Sequence, residues 1–127
     1  MAERLLFDTD VLIEYLRGRR GAVEYLEGLT ADSCISVVSI AELFAGVRDD
    51  GEEESLKQFL LAFSALPVTE TVARLGGLYR RDYRQSHGTG LADALIAATA
   101  EENGATLVTF NQRHYFPMVE IRVPYER

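Results

Sequence analysis

Three carboxylates lie next to apolar segments of the chain: Asp8 after residues 5–7, Glu42 after residues 35–38, and Asp93 within residues 91–98. An ionised carboxylate that is removed from water is strongly unfavourable unless it is paired or binds a metal. Carboxylate oxygens are ligands for magnesium, which keeps several of its waters and also contacts phosphate groups. The positions of these acids therefore predict one cation-binding cluster.

Each acid also has an interpretation that requires no metal. Asp8 is a suitable N-cap for the helix that follows it. Glu42 has the spacing of a capping box with Ser39, in which hydroxyl and carboxylate accept from opposing backbone N–H groups. Asp93 would be favoured by the positive end of its helix dipole. Taken one at a time, the three positions leave both interpretations open.

The hydrophobic pattern predicts strands that alternate with helices. We expect strands at residues 4–8, 33–38, 66–68, 105–110 and 119–123, and helices at residues 10–17, 22–29, 40–47, 52–63, 70–86 and 91–102. This alternation is typical of a parallel sheet covered by helices on both faces. Sites in such sheets form beyond the carboxyl ends of the strands, so acids that are distant in sequence are expected to meet there.

Length and composition favour a single domain over residues 1–127, with 47% hydrophobic residues to form its core. Cys34, the one cysteine, is expected to be a buried thiol, and the lack of a disulfide framework fits a reducing cytosol. The chain has no apolar stretch near the ~20 residues of a membrane span. Its charged amino-terminal segment does not resemble a secretory signal. We therefore expect a cytoplasmic protein without a membrane partner.

The net charge of −7 argues against general electrostatic adhesion to nucleic acid. The positive groups are nearly all arginines, and arginine forms bidentate contacts with phosphate. The candidates for contact with RNA phosphates are Arg17, Arg80, Arg81 and Arg84. Arg80 and Arg84 share one helical face because they are four residues apart. A phosphate-binding rim and an ordinary solvated helix flank both fit this pattern.

Four segments resemble, in order, those of PIN-domain ribonucleases, and specifically the VapC-like toxins of toxin–antitoxin pairs: LFDTDVLI at 6–13, SVVSIAEL at 36–43, LADALIAA at 91–98 and LVTFN at 107–111. The resemblance spans nearly the whole chain. It implies a three-layer α/β/α fold with a five-stranded, mainly parallel sheet. It also implies a metal-dependent endoribonuclease that uses Mg²⁺, for which Mn²⁺ can substitute.

The resemblance also assigns roles to individual residues. Asp8, Glu42 and Asp93 would be catalytic and would bind the metal, with Asn111 as a fourth ligand. Many relatives carry an acid near the fourth position, so Asn111 would bring an oxygen without a charge. Asp10 either replaces the missing charge or caps the first helix. Thr9, Asp10 and Thr109 are expected to surround the ligands, with the two hydroxyls orienting the carboxylates.

Further expectations follow from the family. Cleavage would use metal-activated water, leave 5′-phosphate and 3′-hydroxyl ends on the RNA, and inhibit translation and growth. The expected partners are a cognate VapB-like antitoxin, whose carboxyl-terminal segment covers the active groove, and a second copy of the chain in a homodimer. The sequence does not indicate which RNA is cut.

Two alternatives stay open at this point. The run Asp8-Thr9-Asp10 resembles the opening of haloacid-dehalogenase-like phosphatases, which also require a downstream lysine and a late acidic pair. Lys57, however, lies in an acidic helical segment, and no acidic pair follows the fourth predicted strand. The second alternative is a PIN fold that has lost turnover, as the uncharged Asn111 would permit, and that mainly binds a partner.

Overall fold

Five short strands form one parallel sheet in the computed structural model, which describes residues 3–115 and 117–127. The strands are β1 (Arg4–Phe7), β2 (Asp32–Ser36), β3 (Ser64–Leu66), β4 (Thr106–Val108) and β5 (Ile121–Arg122). Their order is β3-β2-β1-β4-β5, and every neighbouring pair is parallel. The sheet predicted from the sequence is confirmed. Because the strand order reverses between β1 and β4, the carboxyl ends of these two strands are the expected place for a site.

Seven helices are seen in the described part of the chain: α1 (Thr9–Leu16), α2 (Arg20–Glu27), α3 (Val37–Ala45), α4 (Asp50–Leu60), α5 (Glu70–His87), α6 (Leu91–Glu102) and α7 (Gln112–Tyr115). The sequence pattern predicted the first six but not α7, which has only four residues. Val37 and Val38 were expected in a strand and lie instead in α3. The reason is the Ser36 side chain, which accepts a hydrogen bond from the Val38 N–H at 3.0 Å and begins the helix there.

Helices cover both faces of the sheet, so the predicted three-layer arrangement is also confirmed. Successive strand residues point to opposite faces, and β1 shows this directly. Leu6 packs in one core cluster with Ile96 and Ala97 of α6. Leu5 and Phe7 pack in a second cluster formed mainly with α1, α3 and α4. The sheet is therefore buried on both sides, and only its edges and strand ends are available for a site.

The contact between α5 and α6 depends on a glycine. Gly76 is buried, and a Cβ added there would lie 2.7 Å from Leu95 Cδ2 and 3.2 Å from Leu95 Cα. We expect Gly76→Ala to lower the free energy of unfolding by about 1–3 kcal/mol, since α6 would have to shift. Gly77 is the matched control, because its Cβ would meet nothing within 4 Å. Gly77→Ala should stabilise the helix by about 0.5–1 kcal/mol. Urea unfolding measures the change in free energy of unfolding for each variant. Equal changes for Gly76→Ala and Gly77→Ala would contradict this packing.

Cys34 is 1% exposed, and burial raises the pKa of its thiol, as expected for a cysteine that serves as a core residue. Across the described residues, no helix has the combination of length and apolarity that crossing a membrane requires. The burial of Cys34 confirms the prediction that it is a buried thiol.

Candidate active site

Asp8 lies at the carboxyl end of β1, where it is 4% exposed. One carboxylate oxygen, Oδ1, accepts a hydrogen bond from the Thr9 N–H at 2.8 Å, so Asp8 is the N-cap of α1. The other, Oδ2, accepts from the Thr109 hydroxyl at 2.7 Å. Because β4 lies beside β1, Thr109 reaches Asp8 across a separation of 101 residues in the chain. Asp8 therefore caps a helix and also occupies the predicted site.

The environment of Asp8 favours its neutral form. Burial, and then the nearby charge of Asp10, raise its pKa from an ordinary 3.8 to about 7. Hydrogen bonds from Thr109 and Thr9 oppose this rise in pKa and do not overcome it. The carboxylate is thus held in a fixed position without a positive partner among the described residues. A cation at this point would restore the charged form.

Asp10 lies in the first turn of α1, and the suggestion that it caps this helix is wrong because Asp8 does so. Its Oδ2 accepts from the Phe110 N–H at 3.1 Å and lies 3.4 Å from the Thr109 hydroxyl. Its Oδ1 is buried and makes no hydrogen bond to any described residue. Burial raises the pKa of Asp10 as well. Asp10 therefore adds a second, incompletely paired carboxylate beside Asp8.

Glu42 is connected to the same region through Thr9. The Thr9 hydroxyl donates to Glu42 Oε1 at 2.7 Å and lies 2.9 Å from the Ser39 hydroxyl oxygen. The proposed capping box of Ser39 and Glu42 is wrong, since α3 begins two residues before Ser39, which is buried inside the helix. The hydroxyl of Ser39 belongs to this polar network and does not cap α3.

Asp93 lies in the first turn of α6, and its partners come from α7. The Tyr115 hydroxyl donates to Asp93 Oδ1 at 3.1 Å, and His114 Nδ1 lies 3.2 Å from Oδ2. Sequence reasoning missed both partners. The only available signal was a polar aromatic pair shortly after β4, and so short a helix has no detectable periodicity.

The remaining predicted residues make no direct hydrogen bond to Asp8, Glu42 or Asp93 within the described part of the chain. Asn111 is exposed; its backbone N–H donates to the Thr109 hydroxyl oxygen at 3.0 Å, and its side chain makes no hydrogen bond within the described residues. Arg17 and Glu42 both line a groove of about 850 Å³ between α1, α3 and α4. The other three candidates, Arg80, Arg81 and Arg84, line a separate groove of about 510 Å³ beside the start of α6.

The donor set fits a hard divalent cation in its chemistry. It consists of carboxylate oxygens, Asp8 lacks a counter-charge, and Asp10 Oδ1 lacks a partner in the described structure. Within residues 3–115 and 117–127, however, no three His, Cys, Asp or Glu side chains are grouped closely enough to bind one ion directly. Each acid is instead held by a hydroxyl group: Thr109 donates to Asp8, Thr9 to Glu42, and Tyr115 to Asp93.

The five-stranded parallel sheet is the fold that the PIN-like resemblance implied, and the buried Asp8 lies where its strand order reverses. Residues 5–119 match the PIN domain family, and the chain belongs to that family. The match contains all the acids discussed above. It also argues against the phosphatase alternative, as does the placement of Lys57 on α4 beside Glu53.

Individual relatives and solved structures allow a more specific comparison than the family as a whole. The chain is 44% identical over 119 residues to Ribonuclease VapC10 of Mycobacterium tuberculosis, covering 91% of this chain and 88% of the relative. It is 39% identical over 124 residues to Ribonuclease VapC19 of the same organism, covering 94% and 98%. A toxin–antitoxin complex from Klebsiella pneumoniae contains a chain that superposes with a TM-score of 0.82 at 28% identity, covering 97% and 99%.

Proposed function

We propose that this protein is a metal-dependent endoribonuclease, the toxin of a type II VapBC-like toxin–antitoxin pair, which cleaves RNA to inhibit translation and growth. The observation that supports the proposal is a set of hydroxyl groups that hold the three predicted acids: Thr109 donates to Asp8, Thr9 donates to Glu42, and Tyr115 donates to Asp93. These contacts occur in a chain that is 44% identical to a ribonuclease. The sheet supplies the rigid support that a hydrolytic site requires.

We assign Asp8, Glu42, Asp93 and Asn111 as the residues that would hold Mg²⁺ or Mn²⁺. Such an ion supplies a Lewis acid that activates water and neutralises charge on a phosphodiester. The protein's own contribution is orientation. The Thr109 hydroxyl and the Thr9 N–H fix the two oxygens of Asp8, and the Thr9 hydroxyl fixes Glu42. Fixed ligands of this kind lose little freedom when they bind, which favours a defined geometry at the phosphate.

RNA binding would depend on arginines around this acidic centre, since a chain with a net charge of −7 offers little general attraction to nucleic acid. Arg17 lies on the α1 side, in the groove that Glu42 also lines. Arg80, Arg81 and Arg84 lie on the opposite side, near the start of the helix that carries Asp93. We assign these four residues to contacts with RNA phosphates on either side of the cut.

We further propose a VapB-like antitoxin as partner and a homodimer as the functional form. The 850 Å³ groove combines apolar side chains, including Ile13, Leu43 and Leu56, with the carboxylate of Glu42. This composition suits an apolar peptide segment that carries a basic side chain. The Klebsiella pneumoniae toxin–antitoxin complex contains a chain with this fold, which supports an antitoxin as the partner.

The decisive experiment is sequencing of 5′-phosphate RNA ends after brief expression of the protein, combined with cleavage of the same RNA by purified protein and Mg²⁺. Asp93→Asn should lower the cleavage rate by about 10²–10³-fold, as expected when charge stabilisation is lost in the transition state. Asp50→Asn provides the matched control, because Asp50 is exposed on α4. It should cleave like the wild type.

The outcomes separate the alternatives. Equal cleavage by the wild type and Asp93→Asn would refute the assigned site. A folded wild type that cuts no RNA with either metal would favour the scaffold, in which the fold serves only to bind a partner. Cuts that persist after chelation of divalent ions would contradict the metal dependence.

A further inference from the structure

We propose that α7 is a positioning clamp for Asp93, in which the Tyr115 hydroxyl and the His114 imidazole hold the carboxylate ready for a divalent cation. This inference rests on the proposed metal-dependent function and adds two residues to it. Neither residue was assigned a role from the sequence. Both are positioning residues, since they act through Asp93.

The geometry of the clamp is two-sided. Tyr115 donates to Oδ1 of Asp93 at 3.1 Å, whereas His114 Nδ1 lies 3.2 Å from Oδ2. Contacts to both oxygens restrict rotation about the bond that joins the carboxylate to Cβ, which a single contact would not do. The Tyr115 hydroxyl also lies near Asp8, since the charge of Asp8 contributes to the raised pKa of the phenol.

The clamp itself is anchored. Tyr115 is fully buried in the core cluster that lies under α6. The hydroxyl of Thr89, which is also buried, donates to the His114 carbonyl at 2.6 Å and connects α7 to the loop before α6. The Met118 N–H donates to the Tyr115 carbonyl at 2.7 Å. Both bonds hold the carboxyl-terminal half of this four-residue helix, which carries His114 and Tyr115, so these side chains can serve as fixed hydrogen-bond partners.

Tyr115 is suited to the role of a permanent donor. Burial, followed by the charges of Asp8 and Asp93, raises the pKa of its phenol, so the hydroxyl keeps its proton. A neutral donor stabilises a carboxylate without competing for it as a lysine or arginine would. Residues that orient metal ligands typically change metal affinity by about 10–100-fold when they are removed.

The test is a calorimetric titration of the purified protein with Mn²⁺, which measures the affinity for the ion. Tyr115→Phe keeps the buried ring and removes only the hydroxyl, and we expect Mn²⁺ affinity to fall by about tenfold or more. Tyr79→Phe is the matched control. Its hydroxyl donates to the Met118 carbonyl at 3.3 Å, against the same core but away from the acids. It should bind Mn²⁺ like the wild type.

His114 allows an independent test of the clamp. Its side chain is 36% exposed, so its replacement should not disturb the core. His114→Ala should weaken Mn²⁺ binding, and His114→Asn, which keeps an N–H donor close to the ring position, should recover most of the loss. In the metal-free protein, the shifts in urea midpoint caused by Tyr115→Phe and Asp93→Ala should be non-additive, since Asp93→Ala removes the acceptor of the hydrogen bond that the two side chains share.

Each outcome bears on the clamp. Wild-type Mn²⁺ affinity in Tyr115→Phe and in His114→Ala would overturn it while leaving the proposed metal dependence intact. Tighter binding by Tyr115→Phe would also overturn it, because the hydroxyl would then compete with the ion. A wild type that binds no Mn²⁺ would overturn the clamp together with the metal-dependent function. Additive urea shifts would show that Tyr115 and Asp93 do not interact.

Discussion

Asp8→Asn should reduce metal-dependent RNA cleavage by about 10³-fold. The substitution keeps the size of the side chain and removes the charge of the most buried acid in the site. A metal site supplies several kcal/mol of transition-state stabilisation, and each 1.4 kcal/mol corresponds to about a factor of ten in rate. The measurement is the single-turnover rate of cleavage by purified protein with saturating Mg²⁺.

The variant must be shown to be folded, and the structure predicts that it is at least as stable as the wild type when metal is absent. Asn at position 8 carries no charge that needs a counter-ion, and its amide oxygen can still accept one hydrogen bond. If the variant were inactive because it is unfolded, the loss of activity could not be attributed to the removed charge. A folded variant that retains more than about a tenth of the wild-type rate would contradict the assignment of Asp8.

The metal-free protein should lose stability as the pH rises from about 4 to about 7. The pKa of Asp8 is raised by burial and by Asp10, from an ordinary 3.8 to about 7. In this window the folded state therefore binds more protons than the unfolded state, and stability falls as pH rises. At about 1.4 kcal/mol per pKa unit, the full effect of Asp8 is about 4 kcal/mol. Urea unfolding in the presence of a chelator measures it.

Comparison with Asp8→Asn isolates this effect from other carboxylates. Glu3 and Glu52 have lowered pKa values because of hydrogen bonds from Arg122 and Arg48, and they change stability in the opposite direction in both proteins. The difference between the two pH profiles therefore reports Asp8 together with its effect on Asp10. Added Mn²⁺ should raise the stability of the wild type at pH 7 and have little effect on the variant. Parallel profiles would contradict the raised pKa.

The sequence determined most of the elements and the parallel sheet. The pattern for α6 predicted its bounds as observed, and that for α5 was one residue short, because periodic apolar positions and glycine stops are local properties of the chain. The alternation of strands and helices implied a parallel sheet, and this alone placed Asp8 at a strand end. The family resemblance added the roles of the acids.

Only the tertiary structure decided how the acids are held. The contacts of Thr109 with Asp8, and of Tyr115 with Asp93, join segments whose proximity depends on strand order and on the packing of α6 and α7. The existence of α7 likewise depended on contacts that no local pattern encodes. Short-range preferences specify helices and strands, whereas hydrogen bonds between distant side chains require the complete set of packed elements to bring them within 3 Å or so.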